Sequence, residues 1–233
     1  MQWDTPFARR FDWPSAISNR EDKERVARQL AAEVRDGQVI GFGSGSTAYL
    51  ALLAIAERVE REELDILAIP TSAEITLACN AHGIPTATLL DHRPDWCFDG
   101  ADEVDPARNM IKGRGGAFYR EKLLIDASPK TFILADRSKL VAKLGEKFAI
   151  PIEVDPLALN TVAQQLGRLG AVELRLRPAL GAKDGPSVTE NGFFLIEARF
   201  EDIGPALERE IKAITGVIES GLFWGRRIEL VMA

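Results

Sequence analysis

Short apolar runs alternate with segments of helical period from residue 21 to residue 136, and no other feature constrains the fold as strongly. "EDKERVARQLAAEVRDG" sets Val26, Leu30 and Val34 on one helical face, with Gly37 as its stop. "QVIGFG" reads as a short buried strand, "STAYLALLAIAERVERE" as a helix, "LDILAIP" as a strand and "SAEITLACNAHG" as a helix stopped at Gly83. "TATLL", the strand "DWCFD" and a glycine-bearing loop follow, then the helix "GAFYREKLLIDAS" and the strand "KTFILAD". Such a β–α alternation specifies a parallel sheet covered by helices. Ligands on sheets of this kind lie beyond the carboxyl ends of the strands.

After "LGEKFAIPIEV" the grammar changes. "NTVAQQLGRLG" is a helix, "VELRLR" and "FFLIEARF" are strands, "IGPALEREIKAI" is a helix and "GVIESGLF" is strand-like. Strand, helix, two strands, helix and strand describe a small split βαβ unit, with "PALGAKDGPSVTENG" as its hairpin connection. The expected organisation is an N-terminal extension over 1–18, a main domain over 19–149, a small domain over 150–215 and a return to the main sheet over 216–233. The extension mixes Trp, Phe, Pro and an Arg pair and lacks the apolar core of a signal peptide.

The formal net charge of −6 disfavours non-specific binding to nucleic acid or an anionic membrane. An anionic ligand must therefore be held by local Lys and Arg. No apolar run approaches the roughly 18 residues of a membrane span. The two cysteines, Cys79 and Cys97, sit in apolar settings without paired spacing, which fits a reduced, cytoplasmic protein.

Three stretches fall on strand ends. In "GFGSGSTAYL", glycines 41, 43 and 45 leave a strand and open a helix, and Ser44, Ser46 and Thr47 supply hydroxyls. A turn of this kind aims backbone N–H groups and the positive helix end at an anion. It lacks both G-x-G-x-x-G and G-K-[ST], so a single phosphate fits better than a nucleotide; the plain alternative is a tight turn with a Ser cap. In "IKGRGGAFYREKLL", Glu121 has Ala117, Phe118, Leu124 and Ile125 as its helical neighbours, whereas Arg120 and Lys122 can swing to either side. A carboxylate on that apolar stripe is either a desolvated general base or one half of a buried pair with Lys or Arg. In "ILADRSKLVAKLG", Asp136, Ser138 and Lys139 follow directly on a strand.

"DGADEVD" carries four carboxylates, Asp99, Asp102, Glu103 and Asp105, within residues 99–105. Its Gly is misplaced for a calcium loop, and the only histidines, His82 and His92, lack ligand spacing. A magnesium site remains open, but acids that shuttle protons between hydroxyls fit better. Asp99 ends the strand and Asp102 lies one short turn later, so these two are expected to face a ligand, while Glu103 and Asp105 read as solvated or structural.

In order, "GFGSGSTA", "IPTSAEITLACNAHGIP", "FDGADEVD", "IKGRGGAFYREK", "ILADRSKLVAKLG" and "PIEV" resemble the signature stretches of type A ribose-5-phosphate isomerases. The resemblance runs from about residue 20 to near the C-terminus, with "TENG" and "ITGVIESGLF" echoing its later segments. It implies a Rossmann-like α/β domain with a small ferredoxin-like α+β domain, assembled as a homodimer or homotetramer. It also implies interconversion of ribose 5-phosphate and ribulose 5-phosphate without a metal or organic cofactor.

By the same resemblance, Glu121 falls on the proton-accepting base, and Asp99, Asp102 and Lys112 on active-site positions. Ser44, Gly45, Ser46 and Thr47 fall on the phosphate loop, with Lys139 and Lys23 as further substrate contacts. Gly100, Ala101, Gly113, Arg114 and Gly115 fall on backbone around the substrate. Three departures stand out. Arg114 occupies a usual glycine position and either adds a cation to the substrate rim or points outward. Ser44 replaces a commoner Thr, and "TENGF" replaces "TDNGN" away from the expected site. The rivals are a non-catalytic sugar-phosphate sensor, which would not need Glu121 on an apolar face, and another enzyme of this sheet type, such as a lactone hydrolase or CoA transferase.

Overall fold

The computed structural model describes residues 11–13, 16–179 and 184–233. Of the N-terminal extension, positions 1–10, 14 and 15 lie outside the described residues, as do positions 180–183 of the expected hairpin connection. The chain forms two compact units. The first comprises the described residues of Met1–Gly100 with Leu123–Ser138 and Arg227–Ala233, and the second comprises Ala101–Lys122 with the described residues of Lys139–Arg226.

The first unit is built on the parallel sheet that the alternation demands. Numbered along the chain, its strands are β1 (Val39–Phe42), β2 (Leu67–Pro70), β3 (Trp96–Gly100), β6 (Thr131–Ala135) and β12 (Glu229–Met232). They lie in the order β12-β6-β3-β1-β2, every neighbouring pair parallel. Its helices are α1 (Arg20–Ala31), α2 (Gly45–Glu62) and α3 (Ala73–Ala81). Val26, Ala27 and Leu30 of α1 meet Leu52, Ile55 and Ala56 of α2 in one core with Ile40, Phe42 and Phe98 of the sheet. Helix α1 stops at Ala31, and the turns through Val34 carry the rest of the expected helix; Gly37 lies further on, at φ 74°. "TATLL" contributes only one bridge, Ala68 to Thr86. Trp13 stacks on Tyr49 of α2 at 4.9 Å, and Phe11 meets the same ring edge-on.

The second unit holds an antiparallel sheet of β7 (Ile150–Val154), β8 (Ala171–Leu176), β9 (Phe194–Phe200) and β10 (Val217–Ser220), ordered β10-β7-β9-β8. With α5 (Leu159–Arg168) after β7 and α6 (Leu207–Lys212) after β9, this is the ferredoxin-like pattern. Ile152, Val154, Ile196 and Ala198 pack with Val162 and Leu166 of α5 and Leu207 and Ile211 of α6.

One sheet was not foreseen. β4 (Glu103–Val104), β5 (Met110–Ile111) and β11 (Leu222–Phe223) form a three-stranded sheet in the order β11-β5-β4. The single run "GVIESGLF" therefore splits at Gly221, giving β10 to one sheet and β11 to the other. Lys112 N donates to the Gly221 carbonyl at 2.9 Å, and Gly221 N donates to the Pro151 carbonyl at 2.7 Å. The final helix, α4 (Phe118–Ala127), starts in the second unit and ends in the first.

A Cβ on Gly221 would fall 2.0 Å from the Lys112 carbonyl oxygen, a backbone atom that cannot swing aside. Gly221→Ala is expected to lower the unfolding free energy by about 1–3 kcal/mol, read as a lower denaturant midpoint. Gly115→Ala, where no heavy atom lies within 4 Å, serves as the near-neutral control.

Candidate active site

In the first unit, the β1–α2 turn is shaped by Asp99 as much as by any ligand. A Cβ on Gly43 would lie 2.2 Å from Asp99 Cγ, so only glycine lets that carboxylate close over the turn. Asp99 is buried, and its Oδ1 accepts from the backbone N–H of Ser44 at 3.2 Å and of Gly100 at 2.7 Å. Ser44 does not cap α2 with its side chain; its hydroxyl pairs with that of Thr71 at 2.7 Å. Gly45 carries the turn into the helix at φ 84°. The buried Lys23 sends Nζ to Ser46 Oγ at 3.0 Å, and half-buried Thr47 follows. No acid stands in the first turn of α2, so the positive helix end and the Lys23 ammonium give this turn a local positive potential.

In the second unit, Lys112 and Glu121 meet. Lys112 Nζ lies 3.0 Å from Glu121 Oε2, and both residues are buried, at 3% and 5% exposure. Of the two readings of Glu121, the buried pair with a lysine is the one this geometry shows. The loop between them passes Gly113 and Gly116 at φ 116° and 78°. Arg114 N donates to Asp102 Oδ2 at 3.1 Å, which ties half-buried Asp102 to the loop, while exposed Gly115 forms its tip. The Arg114 side chain is exposed and lines a cavity on the antiparallel sheet. Lys139 ends a short turn after β6 and is half-buried; next to it, Leu140 bridges to Val104 beside the acidic hairpin. Ala101 is buried, at 9% exposure.

Three features escaped the sequence. Lys122, read as free to swing, is buried, and its Nζ bonds Glu208 and Glu219 at 2.9 Å each and the carbonyls of Ser220 and Leu222 at 2.8 and 2.9 Å. Glu219 feels burial first, which pushes its carboxyl up, but the Lys122 charge and hydrogen bond outweigh burial and hold it below the usual range. "TENG", placed away from the site, lies against it: Arg120 bonds the Glu190 carboxylate, the Glu190 carbonyl and the Asn191 amide, and Glu190 N donates to the Gly116 carbonyl. Arg177 donates through Nη1 to the carbonyls of Gly113 and Arg114 at 3.0 and 3.1 Å. No local pattern signals these contacts, because their partners are 63 to 100 residues apart.

Of the other acids, Glu103 is fully buried and accepts from the backbone N–H of Gly145, Lys147 and Phe148. Asp105 closes its turn by accepting from Asn109. Both are structural. Cys79 and Cys97 are free and buried, and burial pushes the Cys79 thiol up to about 12. Among the described residues, no group of three or more His, Cys, Asp or Glu is placed to hold a metal ion, and no helix is long and apolar enough to cross a membrane.

The family model of ribose 5-phosphate isomerase A (phosphoriboisomerase A) matches residues 67–233. The chain belongs to the type A ribose-5-phosphate isomerases. The ribose-5-phosphate isomerase A of Synechococcus sp. is 46% identical over 208 residues, covering 87% of this chain and 88% of the relative. That of Archaeoglobus fulgidus is 42% identical over 212 residues, covering 89% and 92%. The solved ribose 5-phosphate isomerase A of Methanocaldococcus jannaschii superposes with a TM-score of 0.88 at 39% identity, covering 92% of this chain and 95% of that one. A D-ribose-5-phosphate isomerase in complex with phospho-erythronic acid gives a TM-score of 0.87 at 37% identity, covering 93% and 96%. The rival enzyme classes are thereby set aside, and both the parallel and the ferredoxin-like sheets of this chain are those of the isomerase family.

Removing the Lys122 ammonium would leave the buried Glu219 without its nearest cation, with only the half-exposed Lys212 at 3.4 Å and the Ser220 N–H to offset its charge. Lys122→Met is expected to cost about 3–5 kcal/mol of stability at neutral pH. Glu219 is held low in the folded protein, so the stability it contributes is present above its unfolded value and lost as pH falls through its folded value. The deficit of the variant should therefore shrink on acidification, and a pH-independent deficit in denaturant melts would exclude this electrostatic account.

Proposed function

We propose that this chain interconverts D-ribose 5-phosphate and D-ribulose 5-phosphate through a cis-enediolate, with Glu121 as the base that moves the proton between the carbons. The observation that carries this reading is the buried Lys112–Glu121 pair at 3.0 Å, at the edge of a glycine loop in a chain of this family. The phospho-erythronic acid bound by the related isomerase supports it, since that ligand joins a phosphate to a planar carboxylate, the charge distribution of an enediolate.

Glu121 takes the proton from C2 of the open-chain aldose, and the electron pair of that C–H bond forms the C1–C2 double bond while the C1 carbonyl becomes an oxyanion. Lys112 stabilises that charge; losing such a donor commonly costs about 10²–10³-fold in turnover. Glu121 then returns the proton to C1, leaving the carbonyl at C2. Asp99 assists ring opening and, with loop N–H groups, the transfer of a proton between O1 and O2, while Asp102 holds the sugar hydroxyls. Ser46, Thr47, Lys23 and Lys139 hold the phosphate, with backbone at Ser44, Gly45, Gly100, Ala101, Gly113 and Gly115 around the substrate. Fixing the phosphate holds C1 and C2 against the base, so binding energy from a non-reacting group lowers the barrier. Arg114 serves the substrate rim through its backbone N–H to Asp102, while its side chain lines the cavity on the antiparallel sheet. The family resemblance further supports a cytoplasmic homodimer or homotetramer acting without a cofactor.

Glu121→Gln keeps the shape and removes the base. It should lower kcat by about 10²–10⁴-fold with KM nearly unchanged in a coupled ribose 5-phosphate assay, and wild-type turnover would refute the assignment. Lys139→Ala should chiefly raise KM; a pure kcat defect would move Lys139 into the chemistry.

A further inference from the structure

We propose that the cavity on the open face of the antiparallel sheet binds a small organic molecule carrying two or more phosphate groups. One face of this sheet is closed by α5 and α6, and the other carries charge. Glu173 and Arg175 of β8 and Arg177 just beyond it alternate with the core-facing Leu174, and Glu197 and Arg199 of β9 alternate with Ile196 and Ala198. The cavity over this face has a volume of about 640 Å³, within the range of roughly 300–1,000 Å³ typical of small-molecule sites.

Its electrostatics are inverted relative to the chain. Three arginines of the sheet face, joined by Arg114 and Lys147 at the margin, meet only the carboxylates of Glu173, Glu197 and Asp102. Each carboxylate is already engaged: Glu197 by Arg177 at 2.9 Å, Glu173 by Arg199 at 3.4 Å, and Asp102 by the Arg114 N–H. Arg175 stands opposite Glu197 in the strand register, yet that carboxylate has gone to Arg177. Among the described residues, neither Arg114 nor Arg175 has an acidic partner. Two uncommitted guanidinium groups on different elements suit an anion with more than one phosphate, since each planar fork binds phosphate oxygens in pairs. Ile111, Phe148 and Pro151 add an apolar wall that suits an organic portion.

The cavity also bears on the glycine loop. Arg177, which lines it, holds the carbonyls of Gly113 and Arg114, so a ligand here acts on the segment that carries Lys112. This coupling rests on the isomerase reading; the binding itself does not.

The test is a calorimetric titration of the full chain with inorganic pyrophosphate and with ADP, each in the presence of saturating ribose 5-phosphate. Saturable binding of at least one probe is expected, weakened about tenfold or more by Arg175→Glu and less by Arg175→Gln, with basal isomerase activity unchanged in both variants. Absence of binding, displacement by ribose 5-phosphate, or an affinity indifferent to Arg175 would overturn the site. In the assay, the bound probe should change kcat without competing with substrate. An unchanged kcat at full occupancy would overturn the coupling, whereas loss of the isomerase reading would show as inactivity without any probe.

Discussion

The Lys122 ammonium, caught between two carboxylates and two backbone carbonyls, is the interaction on which the candidate site depends. It is buried beneath the start of α4 and lies 4.7 Å above the Phe223 ring. A helix pinned at one residue by four contacts has a single rotational setting. Its neighbour Glu121 is turned from Lys122 by about 100°, and that rotation delivers it to Lys112. An ion cluster of this kind is weak evidence for net stability, because desolvation opposes it. Its use here is geometric: a hydrophobic residue at 122 could fill the space without fixing the angle.

The partner of this pin is the short segment Glu219–Phe223. Glu219, Ser220 and Leu222 hold Lys122; Gly221 accepts from the Lys112 backbone; and the Phe223 ring lies under both ammonium groups, at 4.7 and 5.7 Å. Five consecutive residues thus template both lysines, Lys122 within its ion cluster and Lys112 beside Glu121. Gly221 is the point where the strand changes sheets, and a side chain there would collide with Lys112. The change of sheet and the placing of Lys112 are one event in the backbone.

The β–α alternation of the first unit was legible because each strand and helix has its own period, and the split βαβ unit because its strands and helices follow one another in a fixed order. Glu121 was legible because its helical neighbours are apolar. What was hidden has a common physical cause. Strands β4, β5 and β11 have two residues each, too few to show alternation, and are held by pairing rather than by propensity. Lys122 looks like any lysine beside a glutamate, because its four partners lie 86 to 100 residues away. Gly43 was read as part of an anion-binding turn, whereas its nearest constraint is the Asp99 carboxylate. A sequence displays residues that obey a local rule and conceals those whose reason is a distant partner.

The acids of residues 99–105 show how structural commitment distributes chemistry. An ionised carboxylate offers about four lone-pair sites. Glu103 spends three of them on backbone N–H groups in a fully buried setting, and Asp105 directs both oxygens to Asn109. A ligand would have to break those bonds to use either side chain. Asp99 uses one oxygen to hold two N–H groups of its turns, and Asp102 takes a single N–H through one oxygen while staying half-buried. The four acids therefore divide by commitment: Glu103 and Asp105 build the hairpin and its surroundings, Asp99 holds the strand-end turns, and Asp102 accepts one loop N–H while staying half-buried. Proximity in sequence put them together, but the hydrogen bonds already made decide which of them can act.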